Sequence, residues 1–138
     1  MAGLNHEGKL AKASVEHTKE ISRTRSTAWR QTVQGMYSEE YQAKKLEYWY
    51  NHKRVRDEIV RGVYTHVAIV DDKVVGTIGG VMSAPEVSEI FVFYVDEAFR
   101  YVGIGTQLLD TFTAEDIKKV ATEQYVSVED GNKLGLPI

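Results

Sequence analysis

Glu89–Val120, EIFVFYVDEAFRYVGIGTQLLDTFTAEDIKKV, is the stretch whose reading decides the fold. After Glu89 every residue to Val95 is aliphatic or aromatic, the pattern of a strand buried on both faces. Gly103 and Gly105 follow, and Ile104, Leu108, Leu109, Phe112, Ile117 and Val120 recur at helical spacing. The spacing therefore predicts a strand, a short loop and a helix that opens on glycines. The first amide N–H groups of a helix lack intrahelical partners, and glycines let a ligand's phosphates approach that backbone. The junction is a potential anion cradle, with Arg100 placed to add a cation. On spacing alone, a glycine pair at a strand-to-helix junction is more often plain turn chemistry.

Working outward, Tyr64–Val70 and Val74–Met82 are rich in β-branched residues and flank Asp71-Asp72-Lys73, which predicts a hairpin. Gly76, Gly79 and Gly80 mark a bulge or a close backbone approach in its second arm. Ser83-Ala84-Pro85 breaks the chain before the central strand. On the other side, Tyr125–Glu129 predicts a short strand parallel to the central one after a helical crossover. Asp130-Gly131-Asn132 then turns into an expected helix over Asn132–Ile138.

At the N-terminal end, Gly8–Ala13 reads as a short strand. Ser14 reads as the cap of a helix to about Gln34, with Ile21, Ala28, Trp29, Val33 and Met36 on one face and Gly35 as its stop. Ser38, followed by Glu39 and Glu40, caps a second helix expected to run to Arg61, with Leu46, Trp49, Val55, Ile59 and Val60 on its face and Gly62 as its stop. Aromatic and basic residues mingle over Tyr48–Arg56, as on a nucleic-acid surface. A helix with one apolar and one basic solvated face gives the same letters and is the preferred reading. The class expected is α/β, a mixed and mainly antiparallel sheet flanked by helices.

With 138 residues, 43% hydrophobic and 27% charged, the chain reads as a single domain over 1–138. A net charge of −3 draws it neither to nucleic acid nor to an acidic membrane. The absence of cysteine excludes disulfides, thiolate zinc sites and a cysteine nucleophile. No secretory signal and no run near the ~20 apolar residues of a membrane span is present, so a cytoplasmic protein is expected. The four histidines share no ligand spacing, and no metal is expected. Neither a P-loop nor a Gly-x-Ser-x-Gly elbow occurs.

Arg100-Tyr101-Val102-Gly103-Ile104-Gly105 resembles the acetyl-CoA-binding signature of the GNAT superfamily of N-acetyltransferases, Gln/Arg-x-x-Gly-x-Gly/Ala, with Phe93-Tyr94-Val95 in the strand that precedes it. The hairpin VAIVDDKVVGTIGG and the N-terminal helix carrying Ala28-Trp29-Arg30 are similar to that family too. The resemblance implies transfer of acetyl from acetyl-CoA to a primary amine by direct attack. It implies that the Phe93 N–H polarises the thioester carbonyl and that the main chain of Tyr94 and Val95 pairs with the pantetheine arm. Arg100, Tyr101 and the backbone from Val102 through Gly103, Ile104 and Gly105 to Thr106 would hold the diphosphate, and Asn132 matches a further cofactor-side position.

Such chemistry needs a neutral amine. Glu89, in strand alternation with Phe91, Phe93 and Val95, is the candidate base, because an apolar neighbourhood raises a carboxyl's pKa. Some family members place their base on this strand. The competing reading is a glutamate exposed at a strand's first residue.

Many family members protonate the leaving thiolate with a tyrosine beyond the position of Asn132, whereas this sequence stops at Ile138; Tyr101 and Tyr125 are substitutes in composition only. The family's last strands are therefore expected to be missing, with the domain cut short at its C-terminal end. Tyr125–Glu129 would be left as an open edge inviting a homodimer. Two other readings compete: a CoA-binding or interaction module without catalysis, and a dinucleotide oxidoreductase, weakened by Leu108 where a third glycine belongs. The acceptor stays open between a polyamine, an amino sugar, an amino acid and a protein N-terminus.

Overall fold

The computed structural model describes residues 8–100 and 102–127 and the backbone of 133–136. A six-stranded sheet runs in chain order: β1 (Gly8–Lys12), β2 (His66–Val70), β3 (Lys73–Ala84), β4 (Val87–Val95), β5 (Glu123–Ser127) and β6 (Lys133–Leu136). Every pairing is antiparallel except β4 with β5, which is parallel as expected of a crossover. The helices are α1 (Thr18–Thr32), α2 (Glu39–Trp49), α3 (His52–Val60) and α4 (Ile104–Lys118), and α4 is the crossover. None among the described residues is long and apolar enough to cross a membrane, and no group of three His, Asp or Glu is placed to hold a metal.

Two apolar layers sandwich the sheet. On one face Ile104, Leu108 and Phe112 of α4 cover Val75, Ile78 and Ile90. On the other, Ile21 of α1 with Val55 and Ile59 of α3 cover Val67, Val74 and Val92. Asp116 of α4 is buried, accepting hydrogen bonds from the Ser88 hydroxyl and from Gln124 Nε2 (3.0 Å), so that one carboxylate ties the crossover helix to β4 and β5.

Four expectations change. The helix expected over Ser38–Arg61 is two, because Asn51 has an extended backbone and its Oδ1 accepts the Arg54 N–H at 2.8 Å, capping α3. Ser38 does cap α2 through the Tyr41 N–H, at 3.1 Å. Lys133–Leu136 is a strand on β5 rather than part of the helix expected over Asn132–Ile138. The Tyr125 edge is thereby covered, and the dimer expected to form through it loses its basis. Lastly, Met36 is exposed instead of completing the α1 face.

Candidate active site

The site follows from a mismatch between two strands. In β3, Gly79 and Gly80 are consecutive, but their partners in β4 are Val92 and Ile90, so Phe91 is an extra residue and β4 bulges. Only glycine permits this closeness: a Cβ on Gly80 would lie 1.9 Å from the Glu89 carbonyl oxygen, and one on Gly79 would lie 1.8 Å from that of Val63. The bulge re-aims the rest of β4. Ile90 packs with α4, while Val92, two residues on, packs with α1 and α3.

This overturns one expectation. Ser88 and Ile90 point to α4, so Glu89 points to the α1 face, 8% exposed. Phe93 and Val95, beyond the bulge, flank Gly105 on the α4 face. Glu89 therefore shares its face with Val92 and Tyr94, not with Phe93 and Val95, because strict alternation fails where a residue is inserted.

The bulge also frees an edge. β4 pairs with β5 only from Val87 to Ile90, and past that point the two strands part. The Asp96 N–H donates to Val75 O of β3 at 2.7 Å, so by alternation the peptide groups of Phe93 and Val95 turn away from β3, into the gap. Val95 O there accepts Arg100 Nε at 3.1 Å, which fastens the start of the loop to the end of the strand.

At the end of that loop α4 begins. Gly103 is its N-cap with φ of 92°, and a Cβ there would meet nothing within 4 Å. The Gln107 N–H reaches Gly103 O at 3.0 Å, so the N–H groups of Ile104, Gly105 and Thr106 precede the helical ladder. Among the described residues no side chain caps this end and no acidic residue sits in its first turn, unlike α2 with Glu39 and Glu40. Its positive pole is left uncompensated, which suits an anion. Ile104 is buried and anchors the turn; Val102 and Thr106 are exposed. Tyr101 and Asn132 lie outside the described residues.

On the α1 face the gap opens into a cavity of about 450 Å³, walled by Phe91, Val92 and Tyr94 of β4 and by Arg25, Trp29 and Tyr50 opposite. Burial and the nearby Asp96 carboxylate push the Tyr94 phenol up to about 12, and its oxygen is buried. Burial likewise raises the Asp96 carboxyl above its ordinary range. Tyr125 donates its hydroxyl to Glu123 at 2.7 Å. Arg25 escapes the sequence reading, since only tertiary packing brings it to β4, whereas Tyr50 lies in the aromatic and basic stretch Tyr48–Arg56 that the sequence singles out.

Residues 26–133 match the sequence model of the acetyltransferase (GNAT) family. The chain belongs to the GNAT acetyltransferase family. No curated protein sequence matches significantly. Solved structures share the GNAT fold. PaiA N-acetyltransferase from Thermoplasma acidophilum, in complex with coenzyme A, has a TM-score of 0.77 at 24% identity, over 91% of this chain and 81% of that one. A GNAT-family acetyltransferase from Staphylococcus aureus Mu50 gives 0.67 at 16% identity, over 90% and 75%. An aminoglycoside acetyltransferase from an uncultured soil metagenomic sample, in complex with sisomicin, gives 0.63 at 15% identity, over 91% and 80%. At these identities the likeness is one of fold.

Proposed function

We propose that this protein is an acetyl-CoA-dependent N-acetyltransferase acting on a primary amine by direct attack. The observation that carries the reading is the parting of β4 and β5 beyond Ile90, with the glycine-opened start of α4 set beside Phe93 and Val95 on one face and the cavity on the other. The residues fit the cofactor: unpaired amides and an open Gly103 at one end, outward peptide groups along β4 in the middle. When bound, acetyl-CoA supplies a thioester carbonyl whose C–S bond is exchanged for the C–N bond of the amide, releasing the thiol.

The backbone N–H groups of Ile104, Gly105 and Thr106 hold the diphosphate, with Arg100 beside them. The main chain of Tyr94 and Val95 orients the pantetheine arm, as an added strand would be oriented. The Phe93 N–H donates to the carbonyl oxygen, where negative charge develops. Glu89, on the face from which an amine in the cavity would approach, accepts the proton that the amine gives up.

The test is thiol release from acetyl-CoA with a panel of amines, run beside calorimetric binding of CoA. Acceptor-dependent thiol release with a matching N-acetylated product is expected. Binding of CoA without turnover of any amine would mean a non-catalytic module, and binding of neither would remove the reading altogether.

A further inference from the structure

We infer that the acceptor is an amine that also carries a carboxylate, and that Arg25 recognises this second group. The inference rests on the acyl-transfer reading and concerns the chemistry of the cavity wall opposite β4. Of the described side chains lining the cavity, Arg25 alone carries a full charge at neutral pH. Its guanidinium lies over the Tyr50 ring, 5.0 Å from the centroid, and one nitrogen donates to the Tyr50 hydroxyl at 3.1 Å. Tyr50 is itself held, because its carbonyl accepts the Ser22 hydroxyl. The arginine is thus fixed in position before any ligand arrives, and most of its fork of five N–H donors is left to other partners.

Among the described residues its charge also has no close counter-ion, although the Glu58 carboxylate attracts it from farther off. Among the described residues no carboxylate lies within 4.0 Å of Arg25. The nearby Glu58 is taken by Arg54, 3.8 Å from Nε, and burial raises its carboxyl above the ordinary range. A fixed cation in a half-enclosed cavity repels a polycation and attracts an anion. Glu89, on the α1 face of β4 just before the lining residues Ile90 to Tyr94, is the acid beside the cavity. An acceptor with an ammonium toward Glu89 and a carboxylate toward Arg25 matches both, whereas a polyamine or an aminoglycoside would set positive charge against Arg25.

The test uses matched pairs that differ only in the second group: α-, β- and γ-amino acids against their carboxamides, with spermidine as the polycation. For at least one pair the acid should exceed its amide in kcat/KM by about tenfold to a hundredfold, the worth of a charge-assisted hydrogen bond. Arg25→Gln should abolish that ratio and Arg25→Lys should keep part of it. Calorimetric binding of the N-acetylated acid and its amide, in the absence of CoA, should show the same preference without catalysis. Equal turnover of acids and amides, faster turnover of spermidine, or equal loss in Arg25→Gln and Arg25→Lys would overturn the inference while leaving the acetyltransferase reading intact. If CoA binds and no amine is turned over, the parent reading fails first.

Discussion

Gly80 of β3, which pairs with Ile90, lies so close to the neighbouring Glu89 of β4 that a methyl group on the glycine would sit 1.9 Å from the glutamate's carbonyl oxygen. This contact holds the bulge at Phe91, and through the bulge it decides which face each later residue of β4 presents. The site thus depends on a residue that has no chemistry of its own.

Gly80→Ala should therefore cost at least about 3 kcal/mol, the upper end of overpacking, since the obstacle is backbone that cannot rotate aside. Gly76→Ala is the control: its Cβ would meet the Leu108 Cδ1 at 3.1 Å, although also the Tyr94 O at 3.1 Å, and it should be milder. Urea unfolding ranks the two. A Gly80→Ala protein as stable as wild type would show that the strands part easily and that the bulge is not set here.

The two glycines of the loop should separate function from fold. At Gly105 an added Cβ makes only ordinary contacts, 3.7 Å from the Phe93 ring, so Gly105→Ala should keep both stability and CoA binding. Gly103 has φ of 92°, so alanine there costs roughly 1–3 kcal/mol and aims a methyl into the space proposed for the diphosphate. Gly103→Ala should lose CoA affinity by more than tenfold at temperatures where it is still folded, as read by calorimetry. Equal affinity in both variants would place the diphosphate elsewhere.

The central strand, the glycine loop and the crossover helix were legible because each is a local pattern: an unbroken apolar run, a Gly-x-Gly pair, a helical period. What was not legible depended on register. Glu89 was assigned its face by strict alternation, and the signal against it lay in the partner strand, at Gly79-Gly80. The apolar stripe from Leu46 to Ile59 reads straight through Asn51, because a cap and a polar helix residue look alike in sequence. Leu134 and Leu136 stand at strand spacing, a signal that the turn at Asp130-Gly131-Asn132 obscured. Arg25 reaches the cavity only through the packing of α1 on the sheet, and no spacing argument finds it.

Asn51 closes α2 and opens α3: its Nδ2 donates to Glu47 O at 2.7 Å while its Oδ1 takes the Arg54 N–H. Asn51→Ala should cost about 1 kcal/mol. Because Tyr50 adjoins it and carries Arg25, KM for the acceptor should rise while CoA affinity stays unchanged. Steady-state kinetics with each substrate varied in turn checks this; a change on the CoA side alone would dissociate the α2–α3 corner from the acceptor.

Replacing Glu89 by glutamine keeps the volume and removes the proton acceptor. Glu89→Gln should lower kcat by about 10²–10⁴-fold with CoA binding unaltered. The deficit should shrink for acceptors of low amine pKa, which arrive already neutral. If the deficit is the same for every acceptor, Glu89 positions the strand and takes no proton.

At alkaline pH two phenols should report the fold. Burial pushes Tyr64, 3% exposed, up to about 12, and burial with Asp96 does the same for Tyr94, against an ordinary value of 10.0. Tyr125 moves in the same direction through its hydrogen bond to Glu123. Between these limits the folded chain keeps protons that the unfolded chain has released, so stability is present in full below pH 10.0 and falls as pH rises toward about 12. An ultraviolet titration of the native protein should show Tyr64 and Tyr94 ionising after most of the eight tyrosines, and Tyr64→Phe should flatten the fall in unfolding free energy over the same range. Simultaneous ionisation of all eight while the protein remains folded would mean that neither phenol is held away from water.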